Sequence, residues 1–419
     1  MNNANLLVFY QGAPKISNTD FELVERKGVG HPDTLCDTIA EKISQAYSLY
    51  CLERYGTILR HMVDKIALAG GATKVHFGGG EMKKPIRLYL NCRFTRICNG
   101  EQIPYQDIVK EVVYKHFGEV MPLLDTERWL TIVDNTHSTP GPGVVYRTDG
   151  STQNERQFFF EVPDENYKSF HENGLRSNDT STAVAYSPLS PLEQMVIMME
   201  TTLNSKDFKI NHPCVGTDIK VMAKRIGGQV GLTICVPFIA RYTPSEDFYY
   251  VKISQLKKLL GQLARQHFPQ FETTIDINTR DNPQKSDYYL TLVGSAIESG
   301  DEGAVGRGNR HNGVIPFARH MSMEACCGKN PVYHVGKIYT AVAQVISDRI
   351  YDRLGLESYI YLTSQMGRSL FDPWQACVEI CGRAATDSEK DVIAYIVETT
   401  LQDTPKITQK IICGELTMF

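Results

Sequence analysis

The chain has 419 residues, of which 42% are hydrophobic and 22% are charged. These values are close to the averages for soluble globular proteins, so a disordered or fibrous chain is excluded. Forty-four Lys and Arg against 48 Asp and Glu give a net charge of −4, which leaves no overall positive field to hold a nucleic acid. At roughly 150 residues per domain, the length suggests two or three domains, or one large interwoven body.

Cysteine usage and hydropathy point to a cytoplasmic protein. The eleven cysteines are an odd number, and no C-x-x-C pair or H-E-x-x-H helix indicates a zinc site. Reduced thiols are therefore expected. The apolar run from Leu6 to Tyr10 is too short for the core of a signal peptide, and no run of about 18 apolar residues predicts a membrane-spanning helix.

Helices and strands alternate through the first half of the sequence. Apolar residues at helical spacing predict a helix over 32–55, with Pro32 suited to its first turn and Gly56 to its end. Period-two alternation then predicts a strand from Ile86 to Phe94. A helix over 105–117 and a strand from Leu130 to Val133 follow.

The second half repeats this alternation. Ser190 and Glu193 have capping-box spacing, which predicts a helix ending near Leu203, and Thr386 with Glu389 opens another. Further helices are predicted over 248–267 and 335–354, and strands over 218–224, 230–241, 273–278, 288–297, 358–363 and 375–381. Strand pairs joined this tightly favour antiparallel or mixed sheets. The fold class is therefore α+β, with helices on one face of each sheet and possibly three similar units.

The first segment that suggests chemistry is ERKGVGHPD, residues 25–33, directly before the first helix. It places His31 and Asp33 at the positive end of that helix, where an anion is favoured. Asp33 and Asp37 share a helical face, and a carboxylate beside a phosphate usually requires a metal, which predicts Mg²⁺. The alternative is that His31 is only a cap and Asp33 only a favourable first-turn charge.

The second segment is the glycine-rich stretch 298–313, which interleaves five glycines with Asp301, Glu302, Arg307 and Arg310. Glycine lets the backbone approach a ligand closely, and Arg presents a planar fork to phosphate oxygens. Neither the P-loop pattern nor the dinucleotide-binding glycine spacing occurs in it. This pattern suits a polyphosphate with its metal, although a long surface loop is the alternative.

The third segment, 319–337, adds a second basic cluster close behind the glycine-rich stretch. Lys329 and Lys337 could neutralise a polyphosphate, whereas each alone could equally be a solvated surface charge. Two weaker glycine segments, 70–81 and 140–143, could be ordinary turns. Together the segments predict a Mg²⁺-dependent enzyme that handles a nucleoside triphosphate without a Walker or kinase loop.

The same segments give the chain a family resemblance. The matching stretches are ERKGVGHPDTLCD (25–37), FGGGE (77–81), SNDTSTAVAYSPLS (177–190), GTDIKVM (216–222), the stretch 300–313, and MSMEACCGKNPVYHVGKIY (321–339). These stretches occur along the chain in the same order as in the S-adenosylmethionine synthetase (methionine adenosyltransferase) family. The chain therefore resembles that family, in its archaeal-type branch. The resemblance implies that the methionine sulfur attacks C5′ of ATP and expels triphosphate, which the same site then hydrolyses to pyrophosphate and phosphate.

The resemblance also implies roles for individual residues. His31 would meet the departing O5′ end, and Asp33 would hold Mg²⁺ on the phosphates. Asp301, Arg307 and Lys329 match positions that contact the nucleoside and triphosphate. The remaining expected substrate contacts are Asp179, Asp218, Lys220, Arg310, Lys337, Gly141 and Gly143. The expected ions are Mg²⁺, two of them, and K⁺.

The family fold implies three similar α+β units related by a pseudo-threefold axis and interwoven along the chain. Their approximate contributions here would be 1–150, 151–297 and 298–419. The resemblance further implies a homodimer or a dimer of dimers, with active sites between the subunits.

Two stretches depart from the family pattern. Residues 61–65, including Met62 and Val63, replace a more polar run, and Thr182 to Ala185 stand where Phe-Gly-Val-Gly is common. Both lie where the family meets its sulfur substrate or nucleoside. The sulfur donor is therefore methionine or an analogue of it. A third alternative is a non-catalytic nucleotide-binding partner of an active synthetase.

Overall fold

The computed structural model describes residues 5–12, 14–139, 141, 143–153, 159–162 and 175–419. Its helices span Pro32–Tyr55, Tyr105–Val120, Thr126–Trp129, Pro191–Asn204, Lys206–Asn211, Glu246–His267, Val335–Leu354, Asp387–Gln402 and Thr404–Ile412. Its strands span Leu6–Phe9, Phe21–Lys27, His61–Met62, Ile66–Ala69, Ala72–His76, Gly79–Lys84, Ile86–Leu90, Arg93–Phe94, Ile97–Cys98, Glu101–Gln102, Leu130–Asp134, Glu161–Val162, Thr182–Ser187, Lys220–Ile226, Gln229–Cys235, Phe238–Ile239, Glu272–Ile277, Leu290–Thr291, Glu302–Ala304, Ile315–Pro316, Ser358–Thr363 and Gln375–Ile380. The fold is α+β, as predicted.

Three larger sheets carry the fold, and each contains both parallel and antiparallel pairs. The first sheet has the strand order Leu130–Asp134, Ile86–Leu90, Ile66–Ala69, Glu302–Ala304. The second sheet has the order Glu272–Ile277, Gln229–Cys235, Lys220–Ile226, Phe21–Lys27, Ile315–Pro316. The third sheet has the order Leu6–Phe9, Gln375–Ile380, Ser358–Thr363, Thr182–Ser187. Strands that lie far apart in sequence thus share a sheet.

Each sheet shares a hydrophobic core with two long helices, and the second and third cores also include residues of the shorter helices Lys206–Asn211 and Thr404–Ile412. Pro32–Tyr55 and Tyr105–Val120 pack with the first sheet, and Pro191–Asn204 and Glu246–His267 pack with the second. Val335–Leu354 and Asp387–Gln402 pack with the third. In the described part of the chain, no helix is long and apolar enough to cross a membrane. All eleven cysteines are free thiols.

The helices match their predicted spans closely because caps and periodicity are local signals. The first helix ends at Gly56, whose φ of 70° is left-handed, and the capping boxes at Ser190 and Thr386 are both formed. The strand predicted over 288–297 is wrong apart from Leu290–Thr291. Its next two backbone N–H groups, those of Leu292 and Val293, donate to the buried Glu298 carboxylate, so they do not join a ladder.

Candidate active site

The loop between strand Phe21–Lys27 and the first helix lies where the second sheet meets the first. The strand belongs to the second sheet, whereas the helix packs with the first. The Gly28 N–H donates to the carbonyl of Ile219 at 2.6 Å, and the Gly30 N–H donates to that of Thr217 at 3.1 Å. A Cβ on Gly30 would lie 2.3 Å from Thr217 Oγ1, so only glycine permits this close approach.

His31 is the N-cap of the first helix and is neutral. Its Nδ1 accepts a hydrogen bond from the Asp33 backbone N–H at 3.1 Å. A nitrogen that accepts carries no proton, so this network assigns the ring proton to Nε2. Burial, reinforced by the positive charge of Lys27, lowers the pKa of His31 to about 4. The imidazole therefore offers one neutral N–H donor.

Four of the predicted site residues line one cleft of about 450 Å³, namely His31, Asp218, Lys220 and Asp301. The loop 28–31 brings His31 against the segment 217–220, and Asp301 follows the short 3₁₀ helix Ala296–Ser299. Residues that the sequence did not single out complete the wall, among them Asn278, Arg280 and Tyr289. The volume suits a small organic ligand.

Asp218 is a buried acceptor at the base of this cleft. Its Oδ2 accepts hydrogen bonds from the backbone N–H of Ala296 at 3.0 Å and from the hydroxyl of Tyr289 at 3.1 Å. Burial raises the pKa of Asp218 to about 7, and the nearby Asp301 charge acts in the same direction. The carboxyl group is thus positioned by two donors that the fold supplies.

Basic and acidic groups alternate beside His31. Lys220 Nζ lies 3.0 Å from Glu25 Oε2, while Lys27 Nζ donates to Asp33 Oδ2 at 2.9 Å and to the carbonyl oxygen of Arg307 at 2.7 Å. The Arg307 side chain is exposed and has no ion-pair partner among the described residues. Of these three cations, Arg307 alone has no carboxylate partner among the described residues, whereas Lys27 and Lys220 would exchange theirs to meet a polyphosphate.

The carboxylates near the cleft fit a metal that arrives with phosphate. Asp33 Oδ1 accepts a hydrogen bond from the Ala304 N–H at 3.0 Å, and its other oxygen meets Lys27. Within the described ranges, no group of three or more His, Cys, Asp or Glu side chains could hold a metal ion. A single carboxylate fits Mg²⁺, which keeps waters and substrate phosphate oxygens as its other ligands.

Two predicted lysines lie in buried ion pairs and do not line the cleft. Lys329 Nζ is 2.9 Å from Asp64 Oδ2 and 3.2 Å from Glu324 Oε2. Lys337 is fully buried, and its Nζ donates to Glu41 Oε1 at 2.9 Å. Their contact with a polyphosphate stays a prediction, because a lysine held by a carboxylate has to exchange that partner for phosphate.

The other predicted substrate contacts also lie outside this cleft. Arg310 Nη1 donates to the carbonyls of Gly306 and Gly308. Asp179 is half-buried, and its Oδ1 accepts a hydrogen bond from the next backbone N–H, that of Thr180, at 2.7 Å. Their substrate roles stay predictions.

The family resemblance implies that residues 140–143 form an ATP loop, and this segment is described only in part. Gly141 and Gly143 adopt φ values of 90° and 93°, which only glycine takes readily. Pro140 and Pro142 lie outside the described residues. Their expected contact with substrate stays a prediction.

Sequence reasoning missed Tyr289 and gave Lys27 no role. Tyr289 falls in the predicted strand 288–297. Aromatic residues are common in strands, so its presence there gives no sign of a functional role. Its hydroxyl reaches Asp218, which is 71 positions away, so no local pattern could reveal the pair. Lys27, in contrast, lies inside the ERKGVGHPD segment, and its closeness to Asp33 in sequence was a usable signal.

Comparison with known proteins decides the family. The model of the S-adenosylmethionine synthetase (AdoMet synthetase) family matches residues 4–143 and 162–415. The chain belongs to this family. It is 37% identical to the probable S-adenosylmethionine synthase of Aquifex aeolicus over 98% of both chains. It is 35% identical to the S-adenosylmethionine synthase of Pyrococcus furiosus, with 95% of each chain covered.

A solved structure supports the fold of the S-adenosylmethionine synthetase family for this chain. An unusual S-adenosylmethionine synthetase from Campylobacter jejuni matches with a TM-score of 0.58 at 13% identity, covering 93% of this chain and 90% of that one. At this identity the likeness concerns the fold alone. The family resemblance drawn from the motifs is confirmed by the family model and the relatives.

Proposed function

We propose that the protein makes S-adenosylmethionine from ATP and methionine. The methionine sulfur attacks C5′ of ATP, the C5′–O5′ bond breaks, and the expelled triphosphate is hydrolysed to pyrophosphate and phosphate. One observation carries the proposal: in a member of this family, His31, Asp218, Lys220 and Asp301 line one cleft of about 450 Å³. Asp33 and Arg307 do not line this cleft, but Lys27 joins them, because its Nζ contacts the Asp33 carboxylate and the Arg307 carbonyl oxygen.

The residues divide into a leaving-group side and a nucleoside side. The Nε2–H of His31 would donate to O5′ as negative charge develops there, because the Nδ1 contact with the Asp33 N–H leaves the ring proton on Nε2. Lys220 and Arg307 would stabilise the triphosphate charge in the same step. Asp218 and Asp301 would accept hydrogen bonds from the nucleoside or from the methionine ammonium group. No protein nucleophile is required, because the methionine sulfur attacks C5′ directly and its alignment with C5′ accelerates the reaction.

Mg²⁺ and K⁺ are the ions we propose. Asp33 would hold Mg²⁺ together with phosphate oxygens, and the bound ion would offset part of the charge on the leaving triphosphate. A second Mg²⁺ and a K⁺ are expected from the family. We assign them no ligands.

We propose that the remaining predicted residues complete the site around this cleft in a homodimer or dimer of dimers. Lys329 and Asp179 would contact substrate from outside the cleft walls described above. Gly141 and Gly143 would line the ATP loop. Arg310 and Lys337 would also contact the substrate, exchanging their present bonds to loop carbonyls and to Glu41.

We further propose that the three sheets with their helix pairs form three pseudo-threefold-related units. Their approximate contributions would be residues 1–150, 151–297 and 298–419, interwoven where strands cross between sheets. Cytoplasmic location is proposed from the eleven free thiols, since a reducing compartment preserves them.

A product assay tests the proposed function. The full chain is incubated with ATP, Mg²⁺ and methionine, and the mixture is analysed by mass spectrometry and for released phosphate and pyrophosphate. We expect S-adenosylmethionine, dependent on all three additions. Product from another thioether but not from methionine would instead identify an enzyme for a methionine analogue. ATP binding with no product from any thioether would identify a non-catalytic partner.

A further inference from the structure

The first helix carries buried carboxylates on three successive turns of one face, at Asp33, Asp37 and Glu41. Each accepts a hydrogen bond from at least one backbone N–H that is remote in sequence. Asp37 makes the most regular of these contacts, because its two oxygens accept from two N–H groups of the glycine-rich stretch: Oδ1 from Gly306 at 2.8 Å and Oδ2 from Gly308 at 3.1 Å. Residue 307 lies between these two donors.

Three hydrogen bonds therefore fix the Arg307 backbone: one at the residue before it, one at the residue after it and one at its own carbonyl oxygen. Asp37 binds the N–H groups before and after it, and Lys27 Nζ donates to the Arg307 carbonyl oxygen at 2.7 Å. A Cβ on Gly308 would lie 2.2 Å from Asp37 Oδ2, so this contact requires glycine. The fixed backbone carries an exposed guanidinium with no ion-pair partner among the described residues.

We infer that Asp37 is a positioning residue that fixes the backbone from which the Arg307 guanidinium reaches the triphosphate. The inference rests on the proposed function, in which Arg307 meets triphosphate. A carboxylate can accept from two divergent N–H groups, whereas an amide offers one acceptor and turns its own N–H₂ toward the other donor. An amide at position 37 would release one of the two N–H groups, so the loop and the Arg307 side chain could take several positions. The position of Arg307 that stabilises the reacting triphosphate would then be populated for less of the time.

The alternative is that Asp37 only stabilises the fold. Glu298 provides a matched control, because it too is a buried carboxylate that accepts from two backbone N–H groups, those of Leu292 and Val293. Glu298 begins the glycine-rich stretch, but its two side-chain hydrogen bonds go to Leu292 and Val293 and not to residues 306–308, which Asp37 binds. A loss of stability would accompany replacement of either carboxylate, but coupling to Arg307 is expected only for Asp37.

A double-mutant cycle tests the inference on the full-length protein. Asp37→Asn, Glu298→Gln and Arg307→Ala are made singly, and the first two are also combined with Arg307→Ala. Measured quantities are kcat and KM for ATP in the product assay, with thermal unfolding alongside. We expect Asp37→Asn to lower kcat by about tenfold to a hundredfold with a smaller change in KM. In the Arg307→Ala background the further loss should be below about twofold.

The outcomes separate this inference from the proposed function. Wild-type protein that makes no product overturns the proposed function itself. Active wild-type protein, together with equal losses from Asp37→Asn in both backgrounds, overturns the positioning role. So does full activity of Arg307→Ala. Glu298→Gln should reduce kcat by the same factor in both backgrounds. If Asp37→Asn does not fold, Gly308→Ala breaks the same contact from the loop side and is carried through the same cycle.

Discussion

At the scale of single residues, the fold gives His31 two separable tasks. Its Nδ1 caps the first helix by accepting the Asp33 N–H, and its Nε2–H remains for the ligand. The lowered pKa of His31, about 4, keeps the ring neutral at ordinary pH. Capping is a structural contribution of about 1 kcal/mol, whereas donation to a developing charge contributes to the rate.

His31→Asn should separate these two tasks. Asparagine is a good N-cap, so its side-chain oxygen can still accept from the helix, but the Nε2–H donor is lost. We expect kcat to fall about 10²- to 10³-fold while ATP affinity, measured by calorimetry, changes little. His31→Ala, the control, should lose the cap as well and unfold at a lower temperature. Unchanged turnover in His31→Asn would contradict the role given to Nε2.

Asp218 should make stability depend on pH. Its folded pKa of about 7 exceeds the unfolded value of 3.8, so its contribution to stability is fully present below pH 3.8 and is lost as pH rises to about 7. Asp218→Asn removes this titration. The stability of the wild type minus that of the variant, from urea unfolding, should therefore fall between pH 4.5 and 8 by a few kcal/mol, on the order of 1.4 per pKa unit. A difference that does not vary with pH would contradict the raised pKa.

At the scale of elements, the site depends on loops that touch backbone to backbone. Local signals predicted the first helix to the residue, because Pro32, the apolar spacing and Gly56 all act within the segment. For the adjoining loop, the sequence placed His31 and Asp33 at the start of the helix but showed none of the loop's tertiary contacts. Its contact with segment 217–219 involves residues about 190 positions away, which no periodicity reports.

Gly30→Ala tests the close approach of these two loops. The new Cβ would lie 2.3 Å from Thr217 Oγ1 and 2.7 Å from the Asp218 backbone nitrogen, so the loops must separate. We expect a lower melting temperature and a loss of activity of at least tenfold, because His31 and Asp218 would move apart. Gly118→Ala is the control: Gly118 is exposed in a helix, and its Cβ would meet nothing within 4 Å. That change should stabilise the protein by about 0.5–1 kcal/mol.

At the scale of the whole molecule, a buried arginine ties the second and third sheets together. Arg319 Nη2 lies 2.9 Å from Glu193 Oε2, in the first turn of a helix on the second sheet. Its Nη1 lies 2.9 Å from Glu357 Oε1, next to a strand of the third sheet. These three side chains are almost completely buried, so each charge depends on the others.

Arg319→Met should therefore destabilise the whole fold. It leaves two buried carboxylates without their cation, for which about 3–5 kcal/mol is typical. Denaturant unfolding should show this loss as one cooperative shift. Arg383→Met is the matched control, because Arg383 is exposed in its ion pair with Glu389 and should cost below about 1 kcal/mol. Equal effects of the two substitutions would contradict the role of Arg319.

The family, the α+β class and the approximate spans of most long helices followed from the sequence alone, whereas the helices Thr126–Trp129, Lys206–Asn211 and Thr404–Ile412 were not predicted. Motifs, caps and periodicity are properties of short segments, so they can be recognised without knowledge of the fold. The sequence also singled out His31, Asp218, Lys220 and Asp301, which the structure brings into one cleft.

Only the tertiary structure decided which charged groups face that cleft and which are already paired. Lys337 meets Glu41 from 296 positions away, and Asp37 reaches the glycine-rich stretch across about 270. The sequence showed the overall charge of −4 and its basic clusters, but a charge becomes a ligand contact or a structural one through burial and partners. Burial and partners are set by long-range packing. Hydrogen bonds and desolvation depend on how close two groups lie in space, and not on how close they are in sequence.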